Sequence, residues 1–173
     1  RLFTPRSPAI PCEVPESVTT KLLPHQQEAF DWAASAWEKG LPGILNADEQ
    51  GLGKTLQTIA FLAWLVRHME AAGPDARRPI LVVAPTSLLE NWEAEVDRHM
   101  APGGLGTLVA LYASALSSRK RKGLAGRDTD DGVERLDFDV LLEAIAEGRG
   151  HRQWLITTYT TLRNYHHSLA RIP

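Results

Sequence analysis

The sequence predicts an α/β fold, a parallel sheet flanked by helices. Three observations carry this. Residues 43–69 read as a short apolar run, a glycine-rich turn and then a helix. Residues 79–84 (PILVVA) are a continuous apolar run, as expected of a parallel strand buried on both faces. Strand-like and helix-like segments then alternate, which is the pattern of layered α/β proteins. At 173 residues the chain suits one domain with a real core.

Residues 1–20 carry Pro5, Pro8, Pro11 and Pro15 and show little periodicity. They are expected to be a proline-rich leader or linker before a domain at 21–173. Pro24–Glu38 predicts a helix, with proline tolerated in the first turn and Phe30, Ala33, Ala34 and Trp37 on one face. Gly40 and Pro42 end it. Residues 43–46 predict a buried strand, and 54–69 a long helix closed at Gly73-Pro74. Ser87-x-x-Glu90 is a capping-box pattern that opens a helix to about Met100. Residues 107–113 predict a third strand. Residues 114–137, with Arg119-Lys120-Arg121-Lys122 and then Asp128, Asp130 and Asp131, read as a solvated insertion around a short helix. An amphipathic helix is expected at 138–147, a fourth strand at 153–157 and a helical turn through Leu162.

Composition narrows the function classes. A single cysteine, Cys12, excludes an internal disulfide framework and suits a reducing compartment. The longest apolar stretch, 58–66, is too short to span a bilayer. No signal peptide is visible, since the start is studded with prolines where a continuous apolar core is expected. A net charge of -2 argues against a strongly basic nucleic-acid binder but leaves a local basic patch open.

The segment Asp48-Glu49-Gln50-Gly51-Leu52-Gly53-Lys54-Thr55 carries the chemistry. In a phosphate-binding loop, backbone N–H groups point at phosphate oxygens and the following helix adds its positive end. Glycines let the backbone come that close. Lys54 would reach the β- and γ-phosphates of a nucleoside triphosphate, and Thr55 would offer its hydroxyl to magnesium. Asp48 occupies the place of the first glycine in the usual pattern. No strand-like segment ends in the acidic pair that would position magnesium and water. His166-His167 have no fellow ligand nearby, so a metal site there is not expected, and His68, His99 and His151 read as surface residues. The run Arg119–Lys122 reads equally well as a phosphate contact or as a solvated loop.

The segment DEQGLGKTLQTIAFL resembles motif I of the Swi/Snf-type chromatin-remodelling ATPases, where Asp also replaces the glycine. Three more stretches agree in order. Leu22 to Trp32 (LLPHQQEAFDW) is similar to the family's segment whose Gln recognises adenine. Val83 to Glu95 (VAPTSLLENWEAE) is similar to its motif Ia, and Ile156 to Leu162 (ITTYTTL) to its motif Ib. Leu23, His25 and Ala29 depart from the usual Arg, Tyr and Gly. The resemblance covers about residues 21–165.

It implies a RecA-like lobe that binds ATP and Mg2+ through Gln26, Asp48, Gly51, Leu52, Gly53, Lys54 and Thr55, with Lys54 and Thr55 catalytic and Thr55 on the metal. It implies DNA contacts at Thr86, Ser87, Asn91, Thr157 and Thr158. The implied partners are double-stranded DNA, a second RecA-like lobe of the same parent chain and other DNA-bound proteins, with no membrane. The implied location is the nucleoid of a bacterial cytoplasm or the nucleus of a eukaryote. In the family the acidic box follows motif Ib, and the second lobe supplies arginine fingers. The chain is therefore expected to be the N-terminal part of the first lobe, inactive alone. An unwinding RNA or DNA helicase lobe and a non-catalytic scaffold with a nucleotide fold remain alternatives.

Overall fold

The computed structural model describes residues 3–122 and 134–173. They form two compact units: Arg1–Ala76 with Trp92–Leu105, and Arg77–Asn91 with Gly106–Pro173.

The first unit is built on two helices, α1 (Pro24–Glu38) and α2 (Lys54–Ala72). Phe30, Ala33, Ala34 and Ala36 of α1 and Leu56, Ile59, Ala60, Ala63 and Trp64 of α2 are buried. The small alanines let two helix surfaces approach closely, and large rings fill the remaining space. Trp37 meets Trp64 edge-on at 5.2 Å between centroids, and His68 stacks on Trp64 at 5.5 Å.

The proline-rich segment lies over this aromatic cluster. A proline-rich segment lacks the N–H groups for a regular ladder, so its carbonyls turn to donors elsewhere. Trp64 Nε1 donates to Pro11 O at 3.0 Å. Ala9 N donates to His68 Nδ1 at 3.0 Å, and Arg6 N to Glu38 O at 2.7 Å. Gly40, at φ 77, is approached so closely by the Thr4 carbonyl that a Cβ would not fit. Cys12 Sγ donates to Glu38 Oε1 at 3.1 Å. Burial, then that bond and the carboxylate charge, push the thiol up to about 11, which keeps it a poor nucleophile.

Further along, Thr19 N donates to His99 O at 2.8 Å, and Ala101 N to Ser17 O at 2.8 Å. These bonds tie the segment to the end of α3 (Leu89–His99).

The second unit holds a parallel sheet of β1 (Ile80–Val83), β2 (Thr107–Leu111) and β5 (Gln153–Thr157), in the order β1-β5-β2. All five residues of the central strand β5 are buried. Val109, Leu111, Phe138, Leu141, Leu155, Tyr165 and Leu169 form one apolar cluster. They bring α5 (Asp139–Ala146) and α7 (His166–Leu169) onto the sheet. Between β2 and α5 the chain forms α4 (Ala113–Arg119) and an antiparallel pair, β3 (Lys120–Lys122) and β4 (Glu134–Leu136). Leu136 N donates to Ser168 Oγ at 2.9 Å, which docks the pair on α7. A short helix α6 (Tyr159–Asn164) follows β5.

Several expectations are corrected. Residues 43–46 are not a strand. No described strand pairs with them, and without a ladder an apolar run does not become one. Ile44 and Leu45 are exposed, Leu45 at 83%. Strand β1 is not buried on both faces: side chains alternate between the two faces, and Leu81 lies on one left open, 44% exposed. Ser87 does not open a capping box. The 3-10 turn Thr86–Leu88 starts from Pro85, so Ser87 lies inside it. Strand β2 stops at Leu111, and Ala113 takes a left-handed φ of 48 as α4 begins. His68 and His151 are buried rather than surface residues. The short helix expected in 114–137 is α4. Arg121 of the basic run pairs with Asp137 at 3.1 Å, and Lys120 sits 5.7 Å from the Tyr165 ring centroid. The aspartates at 128, 130 and 131 lie outside the described residues.

His68 makes the first unit pH-sensitive. Burial lowers its pKa from the ordinary 6.5, and Nδ1 can accept from Ala9 only while unprotonated. Below about pH 6.5 the unfolded chain gains a proton that the folded chain resists, so stability falls as pH drops through that value. Above it the term is constant. Thermal melts between pH 8 and 5 are expected to show this loss. His68→Asn, which keeps an acceptor and cannot titrate, should flatten the curve below pH 6.5.

Candidate functional site

Residues 39–53 run without helix or strand from the end of α1 to the start of α2. Gly51 and Gly53 take φ 89 and 77, a left-handed conformation that L side chains rarely adopt. Gly53 is the N-cap of α2, so the loop delivers its backbone to the positive end of a 19-residue helix. A Cβ on Gly53 would collide with the Gln26 amide. Lys54 Nζ donates to Asp48 O at 2.8 Å and to Glu49 O at 2.9 Å. The loop thus wraps around the lysine ammonium, which stands where an anion approaching the helix end would meet it. Thr55, the second residue of α2, is half-buried beside it.

Gln26 is also at this loop. It is buried, and both ends of its amide have partners. Oε1 accepts from Leu23 N at 3.0 Å, which caps α1, and Nε2 donates to Leu52 O at 3.4 Å. An amide has a second N–H and a second acceptor direction, so the capacity to meet a base edge remains. A cleft of about 490 Å³, in the range of small-ligand sites, opens alongside, lined by His25, Glu28, Trp32, Leu45, Asp48 and Leu52 among others.

All the residues expected to bind nucleotide, Gln26, Asp48, Gly51, Leu52, Gly53, Lys54 and Thr55, therefore meet in the first unit. Those expected at DNA, Thr86, Ser87, Asn91, Thr157 and Thr158, lie in the second. There Val83 and Leu111 both pair with Thr157, so the segments after β1, β2 and β5 leave the sheet at its carboxyl edge. That edge is where open α/β sheets bind ligands. Thr86, Ser87 and Asn91 are exposed. Thr157 is fully buried and donates Oγ1 to Leu111 O at 3.2 Å. Thr158 caps α6, its Oγ1 accepting from Thr161 N at 3.0 Å.

The SNF2-related domain model matches residues 25–172, which takes in both sets of residues. The chain belongs to the SNF2-related family. Among its relatives is the Zorya protein ZorD of Escherichia coli O139:H28, 33% identical over 96% of this chain and 14% of that protein. Helicase swr-1 of Neurospora crassa is 39% identical over 73% of the chain and 6% of its own length. Chromatin-remodeling ATPase INO80 of Pyricularia oryzae is 43% identical over 51% of the chain and 4% of its own length. The chain thus spans a small part of the curated relatives it matches. Family membership, with the α/β architecture above, makes this a RecA-like lobe of nucleotide-using type. No helix among the described residues is long and apolar enough to cross a membrane.

Sequence reasoning missed two residues at the loop, Asn46 and Gln57. Asn46 Nδ2 donates to Gln57 Oε1 at 2.6 Å, and Gln57 Nε2 to Asp48 Oδ2 at 3.0 Å. The available signal was a lone amide among Leu56, Ile59 and Ala60 on the buried side of α2.

Gly53→Ala is expected to cost about 1–3 kcal/mol, from left-handed strain and displacement of the Gln26 amide. Urea unfolding of the variant checks this.

Proposed function

We propose that the chain is the ATP-binding part of the first lobe of a DNA-dependent ATPase that moves along double-stranded DNA and remodels protein–DNA complexes. The observation that carries this is the loop itself, a Gly51-Leu52-Gly53-Lys54-Thr55 turn at the N-terminus of α2 with the lysine held inside it.

The residues present fit a nucleoside triphosphate with magnesium. Loop amides and the positive end of α2 would hold the phosphate oxygens. Lys54 would exchange the Asp48 and Glu49 carbonyls for β- and γ-phosphate oxygens. The Thr55 hydroxyl would hold magnesium, which when bound supplies neutralisation of phosphate charge. Gln26 would read adenine with the remaining capacity of its amide. The acidic pair that positions water, and the arginine fingers, would come from elsewhere in the intact protein, the latter from a second RecA-like lobe. Alone, the chain would bind nucleotide weakly and turn over none.

At the carboxyl edge of the sheet, Thr86, Ser87 and Asn91 would meet DNA phosphates, together with the chain around Thr158. Buried Thr157 would position that strand end. Phosphate contacts of this kind fix register without reading sequence. Nucleotide-driven opening and closing of two lobes would then step the protein along the duplex and displace DNA-bound proteins. Its place would be the bacterial nucleoid or the eukaryotic nucleus.

The test is the ATPase rate of the intact protein with no nucleic acid, duplex DNA, single-stranded DNA and RNA. Stimulation by duplex DNA alone is expected. Lys54→Ala should lower the stimulated rate by about a hundredfold or more, as loss of a phosphate-stabilising charge does. Equal stimulation by single strands or RNA would indicate an unwinding helicase instead.

A further inference from the structure

Three side chains converge on one backbone carbonyl. Gln57 Nε2 donates to Leu52 O at 3.2 Å, Gln26 Nε2 donates to it at 3.4 Å, and His25 Nε2 lies 3.2 Å from it. A carbonyl only accepts, so the His25 contact requires the Nε2–H tautomer or the imidazolium. In a planar trans peptide the next N–H points opposite to the carbonyl. Fixing Leu52 O therefore fixes the Gly53 N–H, directing it away from all three donors. That N–H belongs to the turn that meets the phosphates.

Gln57 has a second task. Its Nε2 also donates to Asp48 Oδ2 at 3.0 Å, and its Oε1 accepts from Asn46 Nδ2 at 2.6 Å. Asn46 Oδ1 in turn accepts from Asp48 N at 3.0 Å. The Asn46 and Gln57 side chains with the side chain and backbone N–H of Asp48 close a ring. Gln57 is 3% exposed, and both its amino hydrogens are used inside the protein. The amide cannot flip, because its oxygen would then face the Asp48 carboxylate and the Leu52 carbonyl. Gln57 lies three residues after Lys54, one helical turn along α2, so this clamp is mounted on the same helix as the lysine.

We propose that Gln57 is a positioning residue of the phosphate loop. Held by Asn46, it sets the Asp48 side chain and the Leu52–Gly53 peptide from one point, aligning the loop amides before a triphosphate binds. This rests on the nucleotide-binding reading above. Pre-alignment lowers the cost of ordering the loop on binding, so its loss is read in nucleotide affinity.

The test uses the intact protein and a fluorescent ATP analogue with magnesium. Gln57→Glu is nearly isosteric but removes both donors and sets a carboxylate against Asp48. At pH 8, affinity is expected to fall about tenfold, the scale of a lost hydrogen bond to a charged partner. Gln57→Leu, which removes both donors without adding a charge, should lose affinity as well. Both variants are expected to melt lower, because buried partners lose their bonds, but to stay folded at the assay temperature with duplex-DNA affinity without nucleotide near wild type.

If wild type binds the analogue, Lys54→Ala does not, and Gln57→Glu stays within about twofold of wild type, the positioning role is refuted alone. If folded wild type fails to bind, the nucleotide reading falls and the positioning role with it. If the Gln57 variants lose DNA affinity and nucleotide affinity together, Gln57 is structural and the proposal is wrong. Should both Gln57 variants fail to fold, half-exposed Asn46→Ala carries the decision. A drop of about threefold or more in analogue affinity supports the clamp, and unchanged affinity overturns it.

Discussion

A loop that gives no backbone to a regular ladder has to be shaped by the side chains around it. Residues 43–53 join neither a helix nor a sheet, so their polar groups are left to side chains and to water, and only the side chains can fix the loop's shape. The molecule answers with Gln26 from α1, Gln57 and Lys54 from α2, and Asn46 from the loop itself. The α1–α2 packing is what makes this possible. Two helices held by Phe30, Ile59, Trp64 and small alanines bring a buried glutamine from each to the same carbonyl. Glycine at 53 then satisfies two demands at once, the left-handed turn and the room for Gln26.

The same economy governs the proline-rich start. The Pro11 carbonyl accepts from Trp64, and the Ala9 and Arg6 N–H groups donate to His68 and to the Glu38 carbonyl, so a segment with no periodicity of its own is fixed by a donor and two acceptors on the two helices. This covers the Trp37–Trp64–His68 cluster that stabilises the helix pair behind the loop. In the second unit the corresponding anchor is β5. A strand buried along its whole length sets the register of β1 and β2 and therefore where Thr86, Ser87 and Thr158 leave the sheet.

Much of this was legible in the sequence. Helix α1 announces itself through Pro24 and its apolar face, α2 through the glycines before it and Gly73 after it, and β5 through an apolar run between polar turns. What failed depended on neighbours. Residues 43–46 have the composition of a buried strand, but pairing is not a property of the segment, and Leu45 ends up in solvent. Leu81 looked buried because an apolar run does not say whether both faces of its strand are covered. Ser87 matched a capping box that Pro85 pre-empts by starting the turn earlier. Of the candidate site, the loop was readable from its motif. The Asn46–Gln57–Asp48 ring was not, since two amides eleven residues apart carry no pattern until the loop folds back on the helix.

The most direct test is amide hydrogen exchange across the chain with and without ATP and magnesium. Nucleotide should slow exchange at residues 51–55, the turn and the start of α2, and Lys54→Ala should abolish that protection. No change at 51–55, or protection that survives Lys54→Ala, would contradict the assignment of this loop as the phosphate site.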